Sequence, residues 1–396
     1  MGGLVCESYR EPRGEDLKPI KIVHLIMELN TGGAEQMLCK LVTHMDRKAF
    51  RPLVVSMTDR GPVGEKLASE GVPVLELGMR LGRPAPGGLL KLCRLLRKPD
   101  PDVLQTWIYH ADLLGFFAGK VSAVKRIVWG IRCSDMDLRN YSPLTALTVW
   151  SNARLSCFPD AILVNSEEGK QVHEKRGYSA RRMRVIPNGF DIERFRPDET
   201  AREWLLAELG LTHQAKLIGF VARFDPMKDH KTFFRAASAL AAKEDSVHFI
   251  LAGDGMVVSN AQVSVLVKPK LLDKVHLLGR REDIPRLLAA MDIATSASAY
   301  GEGFSNAVGE AMACGVPCAV MDVGDAGWIV GDTGMVVPPG SPELLADAWK
   351  RLLDMDLEQR KRLGERARAR VAENFEINKL VRRFEDFYRG LQRTEA

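Results

Sequence analysis

The feature that most limits how this chain can fold is an alternation repeated along its whole length. Short, nearly continuous apolar runs rich in Val, Ile and Leu are each followed by a segment with helical spacing. Strands apolar on both faces need cover on both faces, and strands alternating with helices are joined by crossovers, so the pattern implies parallel sheets in an α/β protein. In the first half the runs are Lys21–Met27, Pro52–Met57, Val72–Leu77, Val103–Thr106, Ile127–Ile131, Ala161–Val164 and Met183–Ile186. In the second they are Leu217–Ala222, His248–Ala252, Val275–Leu278, Ile293–Ser296, Val316–Met321 and Gly334–Val337. A helix is expected after Gly33, where Met37, Leu38, Leu41, Val42 and Met45 share one face. With 396 residues there is chain for two domains. Two doubly wound sheets are expected, divided in the proline-bounded stretch Pro187–Pro197 with its Asn188-Gly189 turn.

Composition narrows the class. A 46% hydrophobic and 27% charged chain is that of a globular protein. Seven cysteines with no CxxC pair argue against a disulfide framework or a zinc cage, and for a reducing compartment. The best apolar run, Leu113–Ala118, stops before Lys120 and is too short to span a bilayer. Residues 1–19 are polar with both charge signs, unlike a signal peptide, so a cytoplasmic protein is expected. The net charge of +5 favours anionic partners, but no nucleic-acid-binding signature accompanies it.

Ligands of open parallel sheets bind beyond the carboxyl ends of the strands, so the residues just after each strand carry the chemistry. After the first comes Asn30-Thr31-Gly32-Gly33-Ala34-Glu35, where two glycines at a helix start either admit an anion to backbone N–H groups or simply make a tight turn. Neither GxGxxG nor GxxxxGK[ST] is present, which removes the main support for a dehydrogenase or a P-loop enzyme. After Ala222 come Arg223 and Lys228 on a proline-stiffened loop, either a clamp for a diphosphate or two solvated cations. The richest segment runs from Ser298 to Met312. Ser305 is placed to N-cap a helix, Glu302 lies in the loop before it, and Glu310 projects from its second turn. Two carboxylates so separated, with N–H groups around Phe304 to Ala307, suit hydroxyls at two places on an extended ligand such as a sugar or ribose. His110 opens another helix and either donates to a sugar hydroxyl or caps the helix. Of two DxD triplets that could hold a metal-bound diphosphate, Asp135-Met136-Asp137 follows a strand, whereas Asp354-Met355-Asp356 reads as a solvated turn.

Taken together these segments resemble the family 4 retaining glycosyltransferases, which have the GT-B fold. The resemblance rests on Gly32-Gly33-Ala34-Glu35, Pro187-Asn188-Gly189-Phe190-Asp191, Arg223 with Lys228, Gly253-Asp254-Gly255, the Glu302-x7-Glu310 element and its continuation to Pro317. It implies two Rossmann-like domains facing across a cleft. Residues 20–190 would form the acceptor domain, 191–373 the nucleotide-sugar domain, and 374–396 a helix crossing back to the first. By the same resemblance Arg223 and Lys228 hold the donor diphosphate, and Glu310 binds the nucleotide ribose. Glu302, with the backbone of Gly303, Phe304, Ser305 and Asn306, positions the sugar. Gly33 approaches the phosphate or the reacting centre, and His110 contacts the donor sugar. No metal or other cofactor is expected, and the donor is a UDP- or GDP-sugar. The acceptor would be a glycan or a lipid-linked glycan of an exopolysaccharide, capsule or lipopolysaccharide pathway. An epimerase of the same fold and a non-catalytic nucleotide-sugar-binding protein are the alternatives. Trp328 stands where many relatives carry Glu, and either stacks on a ring or packs. Cations at Arg132, Arg139, Lys170, Lys175, Arg176, Arg181, Arg182 and Arg184 would suit an anionic membrane surface, or make an ordinary solvated face.

Overall fold

The computed structural model describes residues 18–80, 86–134 and 141–393. Asp135, Asp137 and Arg139 lie outside the described residues. The first half holds β1 (Ile20–Ile26), α1 (Gly33–His44), β2 (Phe50–Ser56), α2 (Gly61–Ser69), β3 (Val74–Glu76), α3 (Pro86–Arg97) and β4 (Val103–Trp107). It continues with α4 (Tyr109–Val121), β5 (Arg126–Ile131), α5 (Pro143–Leu155), β6 (Ala161–Val164), α6 (Glu167–Lys175) and β7 (Met183–Val185). The second half holds α7 (Ala201–Leu209), β8 (Lys216–Val221), α8 (His230–Ala241), β9 (Val247–Ala252), α9 (Ala261–Ser264), β10 (Val275–Leu277) and α10 (Ile284–Ala289). There follow β11 (Ile293–Ser296), α11 (Asn306–Ala313), β12 (Cys318–Met321), α12 (Ala326–Val330), β13 (Gly334–Val337), α13 (Pro342–Asp354), α14 (Leu357–Asn374) and α15 (Ile377–Arg393).

Seven parallel strands form one sheet in the order β3-β2-β1-β4-β5-β6-β7, and six form the other in the order β10-β9-β8-β11-β12-β13. The buried apolar faces read from the sequence supply the cores: Ile22, Val54, Val103 and Leu163 in the first, Ile218, Phe249, Ile293 and Met321 in the second. Strand order reverses between β1 and β4 in one sheet and between β8 and β11 in the other. Crevices for ligands open at such reversals.

The chain crosses between the two sheets twice, and the crossings lie side by side. Phe190 N–H donates to Phe375 O at 2.8 Å, and Ile377 N–H donates to Phe190 O at 2.9 Å. Phe190 is fully buried and stacks on Phe304 at 5.8 Å. Beyond the crossing, α15 buries Ile377, Leu380, Val381, Phe384 and Tyr388 in the core of the first sheet. The last helix of the chain therefore belongs to the first packing unit.

One surface cation expected from the sequence is not at the surface. The Arg132 guanidinium is buried over the rings of Trp107 (4.3 Å) and Phe384 (5.6 Å), and burial pushes its pKa down to about 10. Its position just after β5 folds it under α15, a contact no local pattern announces. Asp354 and Asp356 are helix-end residues, as a solvated turn requires. Asp354 ends α13 beside Lys350, and Asp356 closes a capping box with Gln359 on α14. The six described cysteines are all free.

Gly309 lies inside α11, where Ala would ordinarily be favoured by about 1 kcal/mol. Here a Cβ would stand 2.0 Å from the Phe190 ring. Gly309→Ala should therefore destabilise the protein by about 1–3 kcal/mol through overpacking at the crossing, read as a fall in thermal midpoint.

Candidate functional site

All the loops singled out in the sequence lie at the two reversals. The glycine loop follows β1 and His110 follows β4; Arg223 and Lys228 follow β8, and Glu302 follows β11. Lys228 ends a short turn, Pro226–Lys228, whose entry is fixed by Asp225 accepting from Met227 N–H at 2.9 Å. Its ammonium pairs with the Glu302 carboxylate, which also accepts from Ser298 Oγ at 3.0 Å. Both side chains are largely buried. Burial raises the Glu302 pKa, but the charge and hydrogen bond of Lys228, the bond from Ser298 and the charge of Arg223 hold it below the ordinary carboxylate value. Arg223 is half exposed and pairs with Asp225 at 3.0 Å. Its charge acts on Glu302, on Glu35 and on Tyr141, so it stands in the cleft between the two halves.

Glycine is required where these loops touch. A Cβ on Gly324, whose φ is +62°, would meet Glu302 O at 2.0 Å, so the loop before α12 closes directly on the Glu302 backbone. A Cβ on Gly303 would meet Asn165 Oδ1 at 2.7 Å, so the backbone after Glu302 lies against the first domain. Ser305 occupies the N-cap of α11, but the expected cap bond from its hydroxyl does not form. The first N–H groups of that helix are thereby left for another acceptor. Gly33, at the first turn of α1, faces Asn306: a Cβ there would lie 3.5 Å from Asn306 Nδ2. Two helix N-termini, with their partial positive charge, thus converge across the cleft.

Other contacts tie the halves together around this point. Glu310 pairs with Lys40 of α1 at 3.1 Å, both nearly buried, and Asn188 Nδ2 donates to Asn306 Oδ1 at 2.9 Å. Ser134 Oγ donates to Glu302 O at 2.5 Å, and Arg280 donates to Thr31 Oγ1 at 3.1 Å. Asp325 accepts from the N–H groups of Glu167 (2.9 Å) and Glu168 (3.1 Å) at the start of α6.

Three more residues of the sequence reading have defined surroundings. Phe304 turns its ring into the core against Phe190 and Phe375, so only its backbone can serve a ligand. Trp328 packs edge-on against Phe375 (5.0 Å) and Phe304 (6.1 Å); of the two readings of this residue, packing is the one observed. His110 sits in the first turn of α4, half buried, with burial lowering its pKa so that the ring is neutral at pH 7. No hydrogen bond joins it to the Lys228–Glu302 pair among the described residues. The residue two before it, Ile108, holds φ +72°, a left-handed conformation unusual for a β-branched side chain and characteristic of strained functional turns.

Glu35, Lys40 and Ser298 were missed as site residues. Glu35 lies in the glycine loop, and burial, aided by Glu28, pushes its pKa up to about 7. The only signal for it was its place at a helix start; the extent of its burial is not visible in the sequence. Among the described residues, no group of three or more His, Cys, Asp or Glu is arranged to hold a metal ion, and no helix is long and apolar enough to cross a membrane.

Comparison with known proteins agrees with this architecture. Residues 31–194 match the Glycosyltransferase Family 4 model, and residues 215–355 match that of the group 1 glycosyl transferases. The chain is 25% identical over 306 residues to an Escherichia coli UDP-Gal:alpha-D-GlcNAc-diphosphoundecaprenol alpha-1,3-galactosyltransferase, covering 76% of this chain and 78% of that one. It is 31% identical over 194 residues to the Bacillus anthracis N-acetyl-alpha-D-glucosaminyl L-malate synthase, covering 48% and 50%. Its fold is similar to that of Anabaena HepE, solved in complex with UDP and glucose, with TM-score 0.81, 24% identity and coverage of 94% and 100%. The two-domain arrangement is that of GT-B glycosyltransferases.

Two predictions follow from the buried charges. Because the folded pKa of Glu302 is depressed, its pair with Lys228 stabilises the protein above the ordinary carboxylate pKa of about 4.3 and is lost as pH falls through the folded value. Lys228→Met leaves that carboxylate buried and unpaired and should cost about 3–5 kcal/mol at pH 7, with Lys228→Met/Glu302→Gln recovering most of it in thermal unfolding. Glu35 has a raised folded pKa, so its contribution is present at pH 4 and lost as pH rises through about 7. Glu35→Gln should therefore raise the thermal midpoint at pH 8 relative to the parent protein and leave it nearly unchanged at pH 4.

Proposed function

The chain belongs to the family 4 and group 1 glycosyltransferases, and from that premise we propose that it moves a hexosyl unit from a UDP-sugar to a glycan or lipid-linked acceptor, with retention at the anomeric carbon and without a divalent metal. The observation that carries this reading is the cluster at the second sheet's reversal: Lys228 on Glu302, Arg223 beside them, and the N-terminus of α11 open above. The choice of UDP is supported by the E. coli relative, named for UDP-Gal, and by the UDP complex of HepE. The acceptor class is supported by the diphosphoundecaprenol named in that relative.

In this proposal Arg223 and Lys228 clamp the diphosphate, one as a planar fork and the other as a point charge. Together with the converging N-termini of α1 and α11 they neutralise the charge that builds on the leaving phosphate oxygen, the task a metal performs elsewhere. Glu302, held ionised and fixed by Ser298 and Lys228, accepts from donor-sugar hydroxyls. Glu310 accepts from the ribose, with Lys40 orienting it. Neutral His110 donates to the sugar near the reacting carbon, and the backbone of Gly33 and of Gly303 to Asn306 completes the cradle. The acceptor hydroxyl attacks the face that the diphosphate leaves, giving its proton to the departing oxygen, so no covalent enzyme intermediate forms. The barrier falls by positioning and by stabilising the leaving group.

Arg223→Ala should lower turnover on the order of 10²–10³-fold, the loss typical of one preorganised charge stabiliser. UDP at 100 times its dissociation constant should stabilise the EDTA-treated protein by about 2.7 kcal/mol, with no comparable effect of GDP. The anomeric configuration of the product, read by NMR, tests retention. Near-normal turnover in the variant would end the clamp assignment, and a Mg²⁺ requirement for the UDP shift would end the metal-free one.

A further inference from the structure

We propose that the outer face of α4 and α5, with the arginine-lined cavity at its far end, is a docking surface for an anionic lipid bilayer. The inference deepens the lipid-linked acceptor reading by naming the surface that would meet the lipid. Its own test does not depend on that reading.

The argument starts from α5. This helix is apolar on both sides. Val149 and Ala153 enter the core against Phe116, Trp129 and Ile162, while Leu144, Leu147 and Trp150 lie along one stripe of the opposite side. Leu147 is 56% and Trp150 57% exposed. A helix apolar all round is ordinarily buried, and this one is buried on one side only. The exposed patch widens on the neighbouring elements, where Phe117 and Val121 of α4 and Phe158 after α5 are also exposed. Buried Phe116 joins them, with ring contacts to Phe117 (5.5 Å) and Phe158 (6.2 Å).

Charge decides the occupant. Residues 141–159 contain no acidic residue. Arg154 lies over the Trp150 ring at 5.3 Å, and Lys120 over Phe116 at 5.9 Å. Where α5 ends, Ser156 Oγ accepts from Ser179 N–H at 2.8 Å and so fixes the segment carrying Arg181, Arg182 and Arg184 beside it. These three arginines, with Cys157 and Ser179, line a cavity of about 530 Å³ at the amino ends of β6 and β7. The acid at its floor, Asp160, pairs with Arg126 at 3.3 Å. Among the described residues, Arg181, Arg182 and Arg184 have no ion-pair partner. An exposed aromatic and aliphatic strip that ends in arginines without ion-pair partners among the described residues matches a membrane interface, with rings at the headgroup level and cations toward lipid phosphates.

The surface also has a direction. At the opposite end of α5, Tyr141 lies within electrostatic reach of Asp225, Tyr300 and Arg223. A helix of this length spans roughly 20 Å. The strip therefore runs from the cleft mouth to the arginine cavity. A protein seated on it presents the cleft to an acceptor anchored in the same bilayer.

The test is sedimentation of the full chain with vesicles of phosphatidylglycerol and phosphatidylcholine in equal parts, against phosphatidylcholine alone, at 0.1 M salt. The parent protein should partition onto the anionic vesicles and be released at 1 M salt. Arg181→Gln/Arg182→Gln should weaken partitioning on the order of 30-fold, and Leu147→Glu/Trp150→Glu at least about 10-fold. The UDP-induced thermal shift should stay at the parent value in both variants, which shows them folded with the donor site intact. Failure of the parent protein to bind anionic vesicles, or parent-like binding by both variants, overturns the proposal. So does conversion of a dimer to a monomer by Leu147→Glu/Trp150→Glu with vesicle binding unchanged, since the face would then be a contact between copies of the chain. Vesicle binding without any UDP shift supports the surface and removes the donor assignment instead.

Discussion

The structure depends on the paired crossing at Phe190 and Phe375–Ile377. A two-domain protein with a single linker leaves the relative placement of its sheets to weak contacts across the gap. Here the chain passes twice, the two passages are hydrogen-bonded to each other, and Phe190 is buried between them with Phe304 stacked on its face. Phe304 lies two residues after Glu302, and Gly309, on the helix that follows, is in contact with the same ring. The hinge and the carboxylate cluster therefore share one packing unit. Whatever holds the domains in register also sets where Glu302 and the N-terminus of α11 stand.

Around that hinge, polar side chains also link the two halves. Asn188–Asn306, Arg280–Thr31 and Asp325 on the start of α6 are hydrogen bonds that a ligand or water can exchange, while Lys40–Glu310 is a largely buried ion pair. Asp325 is held neutral more readily than an exposed acid, because burial raises its pKa against the pull of two backbone N–H groups. Interfaces of this kind separate and close more easily than an apolar core. That suits a site whose ligand must enter between the domains.

Much of the fold was legible. Each of the thirteen strands among the described residues falls in a run read from the sequence, most clearly the central ones, whose cover on both faces leaves no polar alternation to confuse the reading. Boundaries moved by a residue or two, as at Val74–Glu76 where a run to Leu77 was expected. The site loops were found because strand ends are where ligands of such sheets bind, and Gly303, Gly324 and Ser305 mark the turns there. Burial and partnership across domains were not legible. Arg132 read as a surface cation because its shield, Phe384, comes from 252 positions later in the chain. Glu35 read as one letter of a glycine loop, because its burial appears only in the folded protein.

By itself the sequence determined the two parallel sheets, their strand count and the loops that face the cleft, since these follow from periodicity and from residues close in the chain. The tertiary structure alone decided which of those residues are charged, paired or hidden. It set Lys228 on Glu302, Lys40 on Glu310, Phe304 in the core rather than the cleft, and an apolar face of α5 left uncovered. The physical reason is that desolvation and Coulomb energy depend on distances through space, while propensity and pattern depend on distances along the chain.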